Sequence, residues 1–165
     1  MKAQQLLLLF LKIHKYFEGL EIHFYKILQN ICGFSEKAKE VVELSKEKGF
    51  RVVLATSPLF QKIATESRMR WAGFKPTDFE IFTTFEDYYF SKPNINYYKE
   101  VISKLDVLPE ECVMVGNDVV EDMVAKELGM KVFLLTDCLI NRKEQDISEF
   151  ANGNFDDLIE FVKNL

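Results

Sequence analysis

The sequence predicts an α/β fold in which a parallel sheet carries helices on both faces. Three observations predict it. Segments with helical spacing alternate with short strand-like segments along most of the 165 residues. The strand-like segments, such as FRVVLA at Phe50–Ala55 and ECVMV at Glu111–Val115, are apolar almost throughout, as strands buried on both faces are. No Gly/Ser linker, repeat or low-complexity stretch interrupts the alternation, which is the pattern of helices packed on a parallel sheet.

Each element has a local reason. Residues 35–48 place Ala38, Val41, Val42 and Leu44 on one helical face, and Gly49 suits the helix end. The strand at Phe50–Ala55 comes next. Leu59–Trp71 reads as a helix stopped by Gly73, and Phe79–Thr84 as a short strand. Asn94–Leu105 is a helix, Glu111–Val115 a strand ended by Gly116, and Asp118–Leu128 a helix closed by Gly129. Lys131–Leu135 is a further strand. Phe155–Val162 is a terminal helix with Leu158, Ile159 and Val162 turned inward.

The first 30 residues differ. They carry four Lys and two Glu, a net of +2, whereas residues 31–165 carry a net of −7. Phe10, Ile13, Phe17, Leu20, Phe24, Ile27 and Leu28 fall on helical spacing, with a break at Gly19. The apolar run Leu6–Ile13 is far shorter than the about 20 residues a membrane span needs, and it lacks the flanks of a signal peptide.

Composition excludes several classes. A net charge of −5 without a long Lys/Arg run argues against nucleic acid or an anionic membrane as partner. Cys32, Cys112 and Cys138 form no CxxC pair, so a reducing, cytoplasmic setting is expected. No GxGxxG or GxxxxGK[ST] marks a dinucleotide or P-loop site. His14 and His23 lie nine residues apart, which is no ligand spacing on one helix face.

Parallel sheets bind ligands beyond the carboxyl ends of their strands. Three groups stand there. Thr56 and Ser57 follow the strand at Phe50–Ala55, and their hydroxyls suit phosphate oxygens; equally, Ser57-Pro58 is a good helix start. Lys92, in SKPN, offers a point charge to a phosphate, or is a solvated turn residue. Asp118 and Asp122 come after Gly116 at i, i+4, a spacing that suits Mg²⁺. Asp118 with Glu121 also reads as a helix cap, which leaves Asp122 without a task. Tyr88-Tyr89-Phe90 precedes Lys92; it could line a substrate pocket, but packing of its loop is the expectation.

In this order the three groups resemble the motifs of the haloacid dehalogenase-like (HAD) hydrolase superfamily. VVLAT ending at Thr56 is similar to its second motif, SKPN at Lys92 to its third, and MVGNDVVED with Asp118 and Asp122 to its fourth. The segments WAGF and LLTD are also similar to family members. The resemblance covers roughly residues 31–165 and implies a HAD-like, Rossmann-type core, with residues 1–30 as part of a helical cap. It implies hydrolysis of a small phosphorylated substrate, a phosphate monoester, with Mg²⁺. Thr56, helped by Ser57, would then bind phosphate; Lys92 would neutralise nucleophile and phosphate; Asp118 and Asp122 would serve the metal.

The family's first motif, DxDxT, supplies the nucleophile and the general acid. No D-x-D occurs in this sequence. The strand that carries it is central in the family, so its loss would unpair two inner strand edges. Three remedies present themselves: a strand upstream of Met1 in a longer chain, a strand from a partner or second copy, or Leu6–Ile13 as a substitute. The upstream strand is the expectation here, since residues 10–28 have helical spacing. Two functions are open: a phosphatase represented by its C-terminal part, or a non-catalytic HAD-like protein that binds phosphate or protein.

Overall fold

A computed structural model describes the backbone of residues 6–9 and the whole of residues 35–165. Its elements are β1 (Leu6–Leu9), α1 (Glu36–Glu47), β2 (Arg51–Leu54), α2 (Lys62–Trp71), α3 (Ile95–Leu105), β3 (Cys112–Gly116), β4 (Lys131–Leu135), β5 (Ala151–Gly153) and α4 (Phe155–Lys163). A 3₁₀ segment, Met123–Leu128, joins β3 to β4. The five strands lie in the order β2-β1-β3-β4-β5, and every pairing is parallel.

The apolar strands and the crossovers produce two cores. Alternate residues of each strand point to opposite faces. Val52, Leu54, Val113, Val115, Phe133 and Leu135 face α1 and α4. Val53, Cys112, Met114, Val132 and Leu134 face α3 and the 3₁₀ segment. The helices carry matching stripes: Ala38, Val41 and Val42 on α1, Leu158, Ile159 and Val162 on α4, and Val101, Ile102 and Leu105 on α3 are all buried. Ser35 caps α1, as its Oγ accepts from the Ala38 amide. Asn94 caps α3 and Asn154 caps α4 in the same way.

The sheet corrects the expectation of a missing first strand. Leu6–Leu9 pairs with Arg51–Leu54 on one side and with Cys112–Val115 on the other. The central strand therefore lies inside the chain, and the substitute-strand remedy is the one the fold adopts. These four residues belong to the sheet rather than to a cap. The helical reading of residues 10–28, and with it the rest of the cap at 1–30, lies outside the described residues.

Three elements differ from their sequence reading. Phe79–Thr84 is not a full strand: it runs beside β2 through Glu80 N–H to Val52 O, Leu54 N–H to Ile81 O and Thr83 N–H to Leu54 O. α2 begins at Lys62, with Gln61 at its N-cap, so Ser57-Pro58 does not start it. The Glu86 carboxylate accepts from the Lys62 amide at 3.0 Å and takes that capping role. Asp118–Asp122 is a turn, not a helix, and only the 3₁₀ segment comes after it.

Candidate active site

Lys92 and Asp122 meet after the end of β3, and Thr56, after β2, is linked to them through Tyr97. Lys92 Nζ lies 2.6 Å from Asp122 Oδ1, and the two side chains are 0% and 1% exposed. Such a pair persists in burial only when the remaining lone pairs are satisfied. Here Asp122 Oδ2 accepts from the amides of Asn117 and Asp118, each at 2.9 Å. The carboxylate reaches those amides because residue 116 has no side chain. A Cβ on Gly116 would stand 2.3 Å from Asp122 Cβ, Cγ and Oδ2. The Lys92–Pro93 peptide is cis.

Asp118 closes a turn instead of capping the helix that the sequence suggested. Its Oδ1 accepts from the amides of Val120 and Glu121 at 3.0 Å each, closing the turn. Glu121 does not return the bond in the described contacts; its carboxyl is instead pushed above the usual range by burial and by the charges of Asp118 and Asp122. Asp118 Oδ2 meets Arg142 Nη1 at 3.0 Å. The Asp118 side chain is 4% exposed and that of Arg142 52%.

Thr56 is tied to the same region through α3. Thr56 N–H donates to Thr83 Oγ1 at 2.9 Å, and Thr83 Oγ1–H donates back to Thr56 O. Tyr97 Oη donates to Thr56 O at 2.9 Å, while its ring lies 5.8 Å from Lys92 Nζ. Tyr98, edge-on to Tyr97, donates to Glu121 O at 2.6 Å. Two adjacent tyrosines thus join the β2 end, Lys92 and the Asp118–Asp122 turn. Burial holds both phenols well above their usual range, so they act as fixed donors. Ser57 is half-buried in the loop after Thr56.

The geometry divides the two aspartates that were paired on the metal. Asp122 Oδ1 accepts from Lys92 and its Oδ2 from two amides, whereas Asp118 has one oxygen turned to a side-chain cation. Asp118 Oδ2 faces a positive charge already. Asn117 Nδ2 donates to Cys138 O, and among the described residues its buried Oδ1 has no hydrogen-bond partner. Mg²⁺ commonly takes one or two carboxylates and completes its shell with water and substrate phosphate. A buried carboxylate oxygen that accepts a cation fits that pattern. No group of three His, Cys, Asp or Glu gathers among the described residues to form a closed cage.

Sequence reasoning missed Thr83, Tyr97, Tyr98, Asn117 and Arg142. The pair Tyr97-Tyr98 comes soon after Lys92 on the next helix, and that proximity is the signal that could have found it. Arg142 had no local signal, since it is 24 residues from Asp118 in an irregular loop. Of the aromatic run, Tyr88 packs as expected at 6.4 Å from the Tyr97 ring, while Tyr89 is 93% exposed.

The sequence after β1 bears on chemistry. The residues after Leu9 are Phe10, Leu11 and Lys12, and no acidic residue appears before Glu18. β1 takes the central place in the sheet, but no D-x-D follows it in the sequence.

Comparison with known proteins agrees with the fold. A family model described as haloacid dehalogenase-like hydrolase matches residues 7–129. A glyceraldehyde 3-phosphate phosphatase from Methanocaldococcus jannaschii is 30% identical over 129 residues, which are 77% of this chain and 55% of that protein. The chain thus spans about half the length of this curated relative. Among solved structures, a HAD phosphatase from Thermococcus onnurineus superposes with a TM-score of 0.67 at 20% identity, over 87% of this chain and 66% of that one. A Bacillus subtilis protein assigned as a HAD hydrolase and bound to magnesium gives 0.65 at 16% identity, over 84% and 60%. By the family match over most of its length, this chain belongs to the haloacid dehalogenase-like hydrolases.

Proposed function

We propose that the chain carries the phosphate-binding and charge-stabilising side of a HAD phosphatase site, acting on a small phosphate monoester. The observation that carries this reading is the buried Lys92–Asp122 pair, tied through Tyr97 to the Thr56 backbone at the neighbouring strand end. Thr56 donates its hydroxyl to a phosphoryl oxygen, with Ser57 as helper. Lys92 supplies positive charge where negative charge develops during transfer, and Asp122 fixes its position so that no reorganisation is needed. Asp118 would hold Mg²⁺, which supplies a charge shared between the protein and the phosphate. The attack on phosphorus has no D-x-D aspartate in this sequence to perform it. The relative's name supports a phosphorylated small molecule as substrate class.

The lack of a D-x-D is the observation behind a second reading, in which the chain binds phosphate without turnover. One experiment separates the two. The chain is titrated with inorganic phosphate by calorimetry and assayed with 4-nitrophenyl phosphate and Mg²⁺. Binding that weakens about five- to tenfold in Thr56→Val, the effect of one lost hydrogen bond, supports the site. Turnover above background adds the phosphatase reading, and binding alone leaves the second. No phosphate binding by the folded chain refutes both.

A further inference from the structure

Arg142 occupies a place that the proposed chemistry assigns to a different cation. Asp118 is nearly buried, and its Oδ1 is committed to the amides of Val120 and Glu121. Its Oδ2 is the oxygen left for a ligand, and the group on it is a guanidinium from a distant loop. Among the described residues Arg142 makes this one ion pair, and half of its side chain faces solvent, so it is a tethered cation rather than a packed one.

The loop does not depend on that contact. Asn141 Oδ1 accepts from the Gln145 amide at 3.0 Å, and Asn141 Nδ2 donates to Gln145 O at 2.8 Å. The Ile140 backbone is fixed by its amide to Asn117 O at 2.7 Å and its carbonyl from Val119 N–H at 3.0 Å. The segment therefore holds its shape on both sides of residue 142. The Arg142 side chain can leave Asp118 without dismantling the turn, because its half-exposed guanidinium has solvent to move into although the carboxylate it meets is buried.

We propose that Arg142 is a built-in competitor for the divalent cation: the guanidinium satisfies the Asp118 carboxylate when no metal is bound and must leave when Mg²⁺ arrives. Arg142 thus sets the metal affinity of the site without being a ligand or a catalytic residue. This rests on the reading of Asp118 as the cation-binding carboxylate. A buried carboxylate needs a counter-charge in either state, and Arg142 keeps the turn stable between ions.

The test is Mg²⁺ binding by calorimetry on the wild-type chain, Arg142→Ala, Arg142→Lys and Asp118→Asn, each checked for folding by circular dichroism. Asp118→Asn keeps an oxygen for the Val120 and Glu121 amides and is expected to abolish binding. Arg142→Ala is expected to bind about three- to tenfold more tightly, as a competing pair of modest strength is removed. Arg142→Lys, which keeps the charge, is expected to stay within about twofold of wild type. Unchanged or weaker binding in Arg142→Ala, with Asp118→Asn still unable to bind metal, overturns the competitor role alone. Wild-type affinity in Asp118→Asn, or no binding in any variant, overturns the Asp118 reading and the inference with it.

Discussion

Asp122→Asn is expected to be strongly destabilising, because it breaks a buried ion pair from one side. The substitution preserves volume and leaves an oxygen for the amides of Asn117 and Asp118. It places an amide N–H₂ where Oδ1 stands 2.6 Å from Lys92 Nζ, so donor faces donor. The Lys92 side chain is wholly buried and would lose the carboxylate oxygen that accepts from its Nζ. Breaking a buried pair from one side costs about 3–5 kcal/mol. For a chain of this size each kcal/mol lowers the melting temperature by about 2–4 °C, so a loss of roughly 6–20 °C is expected. Urea unfolding followed by circular dichroism measures it. The companion Lys92→Met leaves Asp122 bonded to two amides, and the double variant removes both charges. The double variant should then be about 1–3 kcal/mol more stable than the sum of the single losses predicts. A loss below about 1 kcal/mol in Asp122→Asn, or simple additivity, would refute the buried-pair reasoning.

Further expectations test the supports of the site. Gly116→Ala puts a methyl 2.3 Å from the Asp122 carboxylate, and a loss of about 2–3 kcal/mol in urea unfolding is expected from the forced shift; a neutral result would show that the turn yields freely. Thr83→Val removes the hydroxyl that serves Thr56 N–H and O and accepts from Tyr97, at a cost of about 1–3 kcal/mol by the same assay. Glu121 has its folded pKa raised, so its neutral form is favoured in the fold. Its contribution is present below the ordinary glutamate range and is lost as pH rises through the folded value. Glu121→Gln should therefore raise the melting temperature at pH 7 and flatten its fall above pH 4.5, the reference value for the group; a lower melting temperature at pH 7 would contradict the assignment.

Much of the fold was legible in the sequence because long-range order here arises from local pattern. The runs RVVL and CVMVG are apolar on both faces, and only a doubly covered sheet buries them. Ser35, Asn94 and Asn154 mark helix starts with side chains that cap them. Thr56, Lys92 and Asp118–Asp122 lie far apart in the chain, yet the structure pairs Lys92 with Asp122 and links Thr56 to Lys92 through Tyr97. Other features were set by tertiary context. Leu6–Leu9 became a strand because two inner edges need a partner, a requirement that outweighs helical spacing nearby. Ser57-Pro58 looks like a helix start, but the Glu86 carboxylate caps α2 from another loop. Arg142 reaches Asp118 from the β4–β5 connection, and no spacing rule encodes such a contact.

The most direct test of the account is where phosphate touches the chain. Amide chemical shifts recorded by two-dimensional NMR during titration with inorganic phosphate, with and without Mg²⁺, locate it. The account predicts changes at Thr56, Ser57, Lys92 and Asn117–Asp122, the three strand-end groups held together by Tyr97, Tyr98 and the buried ion pair. Shifts confined to other surfaces, or none while the spectrum remains that of a folded protein, would contradict it.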